Sequence, residues 1–288
     1  VFTSNNDNAI FVFLKDGAPN AAPIYTGYIT EARNDFSPTK QFVNLMKGLN
    51  DPDIRAGGFT NPFNRIVDPR LAIYRGDAMD ATTIGIPYGA PDVIMKSFVS
   101  SNSNVINYYI KDKLAKIIQP NFGSTLLDYP TVCFMLSEIN SWNRTWFENG
   151  ITASCKQWGV VVDSTTKYVG KIMAKFDATT TDEQKKEMVI TQKYIHLFTQ
   201  SHEAWSEYRR TGFPKSIVKP GEVTLVNGTV ITKFTPGSSS GVDIVARFKY
   251  PNSEFTLNKT SVDAAISKMA LGGDDLKTKV WLAGGGVQ

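Results

Sequence analysis

The segment from residue 190 to residue 214, ITQKYIHLFTQSHEAWSEYRRTGFP, constrains the fold more than any other part of this chain. Mostly apolar positions recur in it at the spacing of one helix face, and they are Ile190, Tyr194, Leu197, Phe198, Ser201, Trp205 and Tyr208. Arg209 and Arg210 then place positive charge at the negative end of the helix dipole. Gly212 stands where a helix would end, and Pro214 prevents the helix from resuming. The pattern predicts one long buried helix with a strong C-terminal stop.

A pair of helices is predicted from residue 129 onward. Pro130 suits the first position of a helix, because the N–H group that it lacks would have no partner there. The second helix is expected from about Asn143 to Trp158, with Gly159 as its stop. The inner face of the first helix is predicted from its apolar spacing to consist of Val132, Met135, Leu136 and Ile139.

Two further helices are expected between this pair and the 190–214 segment. The weaker one covers about residues 167–176. The stronger one begins near Thr181, where the residues up to Gln184 fit a variant of the capping box. We expect it to continue without a break into the 190–214 helix.

A β-hairpin and a last helix are predicted in the C-terminal third. Two β-rich runs between Val223 and Thr232 flank Asn227-Gly228, which tolerates the positive φ angles of a type I′ turn. The last helix is expected from Ser261 to Ala270, closed by Gly272-Gly273.

The first 128 residues have a different character. Residues 1–60 hold a strand-length apolar run at Ala9 to Leu14 and a helical pattern at Phe42 to Leu49, with a start at Ser37-Pro38. Residues 51–100 contain so many glycines and prolines that ordered surface loops are expected. Because loops on a rigid scaffold often carry binding, we expect the ligand site in this region.

Charge and hydropathy argue against two function classes. The 31 basic residues are scattered among 27 acidic ones, for a net charge of +4, which argues against a nucleic-acid-binding stripe. The longest apolar runs are far shorter than the ~18 residues that a membrane span needs.

Two cysteines stand on successive predicted helices. Cys133 lies inside the apolar run of residues 132–136, so a buried free thiol is the simplest interpretation. A disulfide between Cys133 and Cys155 is the alternative, since an oxidising compartment would permit it. The chain contains no C-x-x-C motif for redox or metal chemistry.

The sequence holds no motif for catalysis. His196 and His202 are six residues apart, on different faces of a helix, and Ser206 stands where a zinc protease would need a second histidine. No local signature supports a Ser-His-Asp triad. Pairs of carboxylates for glycoside cleavage have little specificity in a chain with so many acids; the candidates are Asp77, Asp80, Asp92, Glu138 and Glu148. We therefore expect no catalytic residue, no metal and no cofactor.

Asp274-Asp275 follows two glycines and resembles a fragment of a calcium loop. A cap on a turn is the simpler interpretation of the two carboxylates, and it is the one that we predict.

Four groups of residues occur in the order found in one protein family. They are DPRLAIY (68–74); YPTVCFMLSE (129–138) with NGITAS (149–154) and QWGV (157–160); EAWSEYRRTGFP (203–214); and RFKYPNSE (247–254) with Asn258, GGDD (272–275) and VW (280–281). Together they resemble the SusD/RagB-like outer-membrane lipoproteins of Bacteroidetes. Two departures, Leu282 for a second Trp and Ser137-Glu138-Ile139 for Ala-Glu-Ala, fall at structural positions.

The resemblance implies a mainly α fold of the SusD type, with tetratricopeptide-type helices, long ordered loops and a small β-hairpin. Residues 1–128 would form a loop-rich region facing ligand and transporter, and residues 129–288 a helical region. Both would belong to one continuous domain of a larger protein, whose N-terminal half and lipoprotein signal are not in this sequence.

The resemblance also implies a function without bond chemistry. Such a protein captures oligosaccharides at the cell surface and delivers them to a SusC-like TonB-dependent outer-membrane transporter. Its contact with the outer membrane would be an N-terminal lipid anchor, and nucleic acid would not be a partner. Three alternatives stay open: the same architecture capturing oligopeptides, a structural accessory subunit of a surface complex, and a glycosidase.

Aromatic side chains are the best candidates for sugar contact, because the C–H face of a pyranose stacks on a ring while polar neighbours bind its hydroxyls. The predicted ligand-binding residues are Tyr74, Tyr88, Phe63, Asn61, Arg75 and Trp142. The aromatic residues of the family motifs are predicted instead to lie in the core, and these are Trp158, Trp205, Tyr208 and Trp281.

Overall fold

The computed structural model describes residues 9–13, 25–27, 31, 38–75, 84–102, 116–236, 245–269 and 273–279. Helices dominate this part of the chain: α1 Lys40–Met46, α2 Arg70–Arg75, α3 Asp92–Ser101, α4 Tyr129–Ile139, α5 Arg144–Trp158, α6 Val162–Asp177, α7 Asp182–His196, α8 Ser201–Thr211, α9 Asn252–Leu257 and α10 Lys259–Ser267. The strands are β1 Ala9–Phe13, β2 Ser124–Asp128, β3 Val223–Asn227 and β4 Val230–Lys233. The predicted mainly α fold with a small hairpin is confirmed.

Helices α4 to α7 form the scaffold. Helix α5 packs against both α4 and α6, and α7 packs on α4. Their ends follow local chemistry: the side chain of Asn143 accepts a hydrogen bond from the N–H of Trp146, and Gly159 ends α5 in the left-handed conformation. Thr181 and Gln184 form the complete capping box that was predicted for α7.

Other predicted helix ends were wrong by a few residues. Helix α6 begins at Val162 rather than near residue 167, because its first residues, Val162 and Asp163, are exposed and contribute nothing to a buried apolar face. Helix α1 begins after Thr39, whose hydroxyl caps it, and not at Ser37-Pro38. The predicted helix at residue 261 begins at Lys259 and ends at Ser267, and its expected stop at Gly272 lies outside the described residues.

The predicted inner face of α4 was also wrong. Ile139 is 75% exposed, whereas Cys133, Phe134 and Ser137 are fully or almost fully buried. The reason is close packing on α5, where a side-chain carbon added to Gly150 would lie 2.8 Å from the ring of Phe134. Small residues let the two helices approach, so the buried face follows size as well as hydropathy.

The predicted long helix is two helices, α7 and α8, separated by a turn at residues 197–200. In one continuous helix, Lys193 and Glu207 would lie about 21 Å apart. In the structure, Lys193 Nζ is 3.0 Å from a carboxylate oxygen of Glu207, so α8 folds back beside α7. Gly212 ends α8 in the left-handed conformation, as predicted.

The hairpin β3–β4 forms where it was predicted, with Asn227 paired to Val230. Within its turn, Gly228 has a positive φ of 60°, but neither Asn227 nor Thr229 does. A type I′ turn needs two consecutive residues with positive φ, so the predicted turn type was wrong and the geometry resembles type II′. A second antiparallel pair, β1–β2, was not predicted.

Both cysteines are buried free thiols, so the disulfide alternative is wrong. Burial raises the pKa of each thiol, Cys133 and Cys155, to about 11. None of the helices in the described ranges has the length and apolar character that crossing a membrane requires.

A buried ion pair lies where α2 meets the scaffold. Arg70 is fully buried, and Nε and Nη2 of its guanidinium donate to the two carboxylate oxygens of Asp68 at 2.9 and 2.5 Å. The remaining donors are also satisfied: Nη1 donates to Ser154 Oγ on α5, and Nη2 to Gln192 Oε1 on α7, both at 2.6 Å. Tyr168 on α6 donates to Asp68 at 2.6 Å. One guanidinium–carboxylate pair therefore joins three scaffold helices to α2.

Replacing Arg70 by Met should destabilise the protein by about 3–5 kcal/mol, because it leaves the buried Asp68 carboxylate without its cation. Urea unfolding measures this change. The matched control is Arg144→Met, since Arg144 pairs with Asp177 and Glu148 at the exposed surface. We expect a much smaller loss for the control. Equal losses for the two variants would contradict the role given to the buried pair.

Candidate functional site

Three of the predicted ligand-binding residues lie inside the protein. Tyr74 is 1% exposed, its ring stacks on Phe198 with centroids 4.4 Å apart, and its hydroxyl donates to the Ile195 carbonyl. Phe63 and Asn61 are equally buried. The expectation that these side chains form an exposed platform is wrong.

The hydrogen bonds of Asn61 explain why the loop that contains Asn61 and Phe63 is buried. Its side-chain amide donates to the carbonyls of Leu45 and Leu49 at 2.9 and 3.2 Å, and its Oδ1 accepts from the N–H of Phe63. A buried loop must satisfy its backbone polar groups, and Asn61 does this for the end of α1. This part of the glycine- and proline-rich segment is thus packed against the core, and residues 61–63 present no exposed aromatic ring to a ligand.

The other three predicted residues have different positions. Tyr88 is half-buried, and its hydroxyl donates to the Val218 carbonyl at 2.8 Å. Trp142 is half-buried in the turn between α4 and α5, with a φ of 61° that is rare for an aromatic residue. Arg75 ends α2, and its side chain lies outside the described residues. Ligand contact by these three residues stays a prediction.

A groove of about 350 Å³ lies at the break between α7 and α8. The turn at residues 197–200 borders the groove. Leu197 and Phe198, which follow α7, contribute to its wall, and so do Ser201 and Ala204 from the first turn of α8. Aromatic and aliphatic side chains form most of its wall, and the lining residues are Pro38, Thr39, Phe42, Tyr194, Leu197, Phe198, Ser201, Ala204, Trp205, Tyr208 and Ile217. Among the described residues that line it, none carries a charged side chain.

Trp205 stands at the edge of this groove and is half-buried, which corrects its predicted place in the core. Its indole N–H donates to the Val245 carbonyl at 2.8 Å. The guanidinium carbon of Arg209 lies 3.8 Å from the ring centroid, within cation–π distance. Phe248, which is 71% exposed, contacts the same indole with ring centroids 5.7 Å apart. The indole is therefore held in one orientation while part of it borders open space.

The other aromatic residues of the family motifs differ in outcome. Tyr208 and Trp158 are buried, as predicted, although Tyr208 also borders the groove. Trp281 lies outside the described residues. The helical spacing of the sequence predicted a core position for Trp205. That spacing gives no sign that the helix is interrupted six residues before Trp205.

Ser154, His196 and Asp128 are arranged like a catalytic triad. Nδ1 of His196 lies 2.9 Å from Ser154 Oγ, and Nε2 lies 2.9 and 3.0 Å from the two oxygens of Asp128. The three side chains are at most 2% exposed. The serine hydroxyl also accepts from Arg70, and no substrate can reach it in this conformation. The cluster holds α5, α7 and the end of β2 together, so His196 is a structural histidine with both ring nitrogens bound.

Three of the five carboxylates considered for glycoside cleavage lie in the described part of the chain, and none of these three lines the groove. Asp92, Glu138 and Glu148 each form an ion pair, with Lys96, Arg210 and Arg144 respectively. Asp77 and Asp80 lie outside the described residues. Within the described ranges, no group of three His, Cys, Asp or Glu side chains is arranged to hold a metal ion.

Asp275 caps a turn, as predicted, whereas the prediction is wrong for Asp274, which binds a segment 24 residues earlier in the chain. Asp274 accepts from the N–H of Tyr250 at 3.0 Å and pairs with Arg247, while Asp275 accepts from the N–H of Lys277. Both carboxylates thus bind protein groups, Asp275 within its own turn and Asp274 in the segment before α9.

The scaffold and its motifs can be compared with known proteins. A SusD-like family model, described as starch-binding and associating with the outer membrane, matches residues 1–61 and 53–236. The chain belongs to this SusD/RagB-like family. No curated protein matches the chain.

Solved structures of SusD-like proteins share the fold. A SusD homologue from Bacteroides uniformis superimposes with a TM-score of 0.63 at 21% identity, over 97% of this chain and 56% of its own. A SusD-like protein from Bacteroides thetaiotaomicron gives a TM-score of 0.54 at 18% identity, over 84% of this chain and 49% of its own. The chain thus spans about half the length of these SusD-like relatives, and the SusD-type fold that was predicted is confirmed.

Asp128 should make stability depend on pH. Burial alone would raise its pKa, but the charge and hydrogen bond of His196 and the N–H of Thr131 lower it to about 2. A carboxyl with a lowered pKa in the folded state contributes its stability above its unfolded value and loses it as the pH falls through the folded value. The contribution should be about 2 kcal/mol at pH 5 and should disappear between about pH 4 and pH 2.

Urea unfolding of the wild type and of Asp128→Asn from pH 6 to pH 2 measures this effect. We expect the stability difference between the two proteins to shrink as the pH falls. A difference that is constant over this range would contradict a lowered pKa of Asp128 in the folded protein.

Proposed function

We propose that this protein captures oligosaccharide nutrients at the cell surface and that the groove beside Trp205 is the capture site. The observation that carries the proposal is the fixed, partly open indole on the wall of an aromatic groove. An indole held by Arg209 and the Val245 carbonyl loses little further freedom when a sugar ring stacks on it. Membership in a starch-binding family supports the sugar as ligand class.

The proposal includes no bond chemistry. General acid–base cleavage of a glycoside needs two carboxyl groups on either side of the bond, and the described residues that line this groove include none. The groove instead offers ring faces together with the hydroxyls of Thr39, Tyr194 and Ser201. These groups suit binding and release.

Delivery of the sugar to a SusC-like TonB-dependent transporter is part of the same proposal, as is an N-terminal lipid anchor in the full-length protein. The family's association with the outer membrane supports both. Affinity purification of the tagged full-length protein from detergent-solubilised outer membranes should recover such a transporter in stoichiometric amount. Recovery of the protein alone under conditions that preserve other outer-membrane complexes would contradict the delivery step.

Oligopeptide capture is the second candidate, because an apolar wall of Phe42, Leu197 and Phe198 also suits an apolar peptide side chain. A panel that holds both glycans and short peptides separates the two. Binding of peptides, with no binding of any glycan on the panel, would show that the ligand is a peptide and not a sugar.

Replacing Trp205 by Ala should weaken binding of the glycan that the panel identifies by about tenfold or more, since a lost aromatic stacking surface costs about 1.4 kcal/mol or more. Isothermal titration calorimetry measures the affinity, and a thermal melt shows whether the variant is folded. The matched control is Trp146→Ala, because Trp146 is half-buried on α5 beside Tyr129 and does not line the groove. Unchanged affinity in Trp205→Ala would place the sugar elsewhere.

A further inference from the structure

The hydroxyl of Tyr194 is an unused donor in the groove wall. Tyr194 borders the groove, and among the described residues its hydroxyl has no hydrogen-bond partner, only ring contact with Phe42. Burial raises the pKa of this phenol to about 12, so it stays protonated and can only gain by donating to an acceptor. A ligand in the groove is the group that can supply such an acceptor.

Arg209 is an uncompensated cation behind the same wall. In the described part of the chain its guanidinium has no carboxylate within ion-pair distance, whereas Arg210, beside it, pairs with both Glu138 and Glu207. Arg209 donates to the Ala246 carbonyl, but its Nε is buried and, in the same described part, has no acceptor. Its guanidinium carbon lies 3.8 Å from the ring centroid of Trp205, which lines the groove, so the positive charge is in contact with the groove wall.

The first turn of α8 adds to this field. Ser201 and Ala204 from that turn line the groove, and Gln200, the residue before the helix, provides no side-chain cap. The N-terminal end of a helix carries partial positive charge. Glu203, the acidic residue of this turn, is not among the lining residues.

Resting on the proposed capture function, we propose that the groove selects oligosaccharides that carry carboxylates, such as uronic-acid oligomers, over neutral ones. The three observations all favour an anion: a free hydrogen-bond donor, a cation without a carboxylate partner and a positive helix end lie at or beside a groove whose described lining residues include no acid. Such a site attracts a carboxylate and gives a neutral sugar only stacking and ordinary hydrogen bonds.

The test compares matched ligands that differ in charge. Oligogalacturonate, oligomannuronate and oligoglucuronate are each titrated into the protein beside their methyl-esterified forms, and maltooligosaccharide serves as a further neutral probe. We expect the best acid to bind about tenfold more tightly than its ester, with the ratio falling at high salt because the charges are partly exposed. Arg209→Gln and Tyr194→Phe should each lower the acid-to-ester ratio several-fold. Arg144→Gln removes the same charge from a surface residue that pairs with Glu148 and Asp177 instead of contacting Trp205, and it should leave the ratio unchanged.

The outcomes separate this inference from the capture function. Neutral probes that bind as tightly as the acids, with Trp205-dependent affinity, would overturn the acid preference and keep the capture of sugars. An acid preference that persists in both Arg209→Gln and Tyr194→Phe, with both variants folded by thermal melt, would also overturn it. If neither the acidic nor the neutral probes bind, both proposals are contradicted.

Discussion

The buried pair of Asp68 and Arg70 is the interaction on which the rest of the structure depends. A charged pair in a protein interior is tolerated only if each remaining donor and acceptor is satisfied. Here the partners come from three different helices, through Ser154, Tyr168 and Gln192. The helices can therefore satisfy the pair only in one mutual arrangement. The DPR segment fixes the geometry of the scaffold, and both of its charged side chains are buried.

The same arrangement determines where the groove lies. His196 is the last residue of α7, and its ring is bound by Ser154 and Asp128. These two contacts fix the position of the C-terminal end of α7 in the core. The chain then turns, places Phe198 against Tyr74, and returns as α8 with Glu207 beside Lys193. The space left at this turn is the aromatic groove. A structural polar network thus creates, a few residues away, a surface that can bind.

Local chemistry predicted much of the fold from sequence, and long-range chemistry decided the rest. The ends at Asn143, Gly159, Thr181 and Gly212 were predictable because capping needs only neighbouring residues. The break after α7 was not, because the pairing of Lys193 with a residue fourteen positions later has no local signature. The candidate site was missed for the same reason: an unbroken helix would have placed Trp205 in the core. Conversely, the many breakers near Phe63 suggested exposure, whereas Asn61 makes burial possible.

The central claim is that a sugar is held in the groove between α7 and α8, against the indole of Trp205. A crystal structure of the protein with a bound oligosaccharide tests it most directly. The account predicts electron density for a pyranose ring parallel to that indole, with a sugar oxygen within hydrogen-bond distance of the Tyr194 hydroxyl. Density confined to another surface, such as the turn that carries Trp142, with the groove empty at saturating ligand, would contradict it.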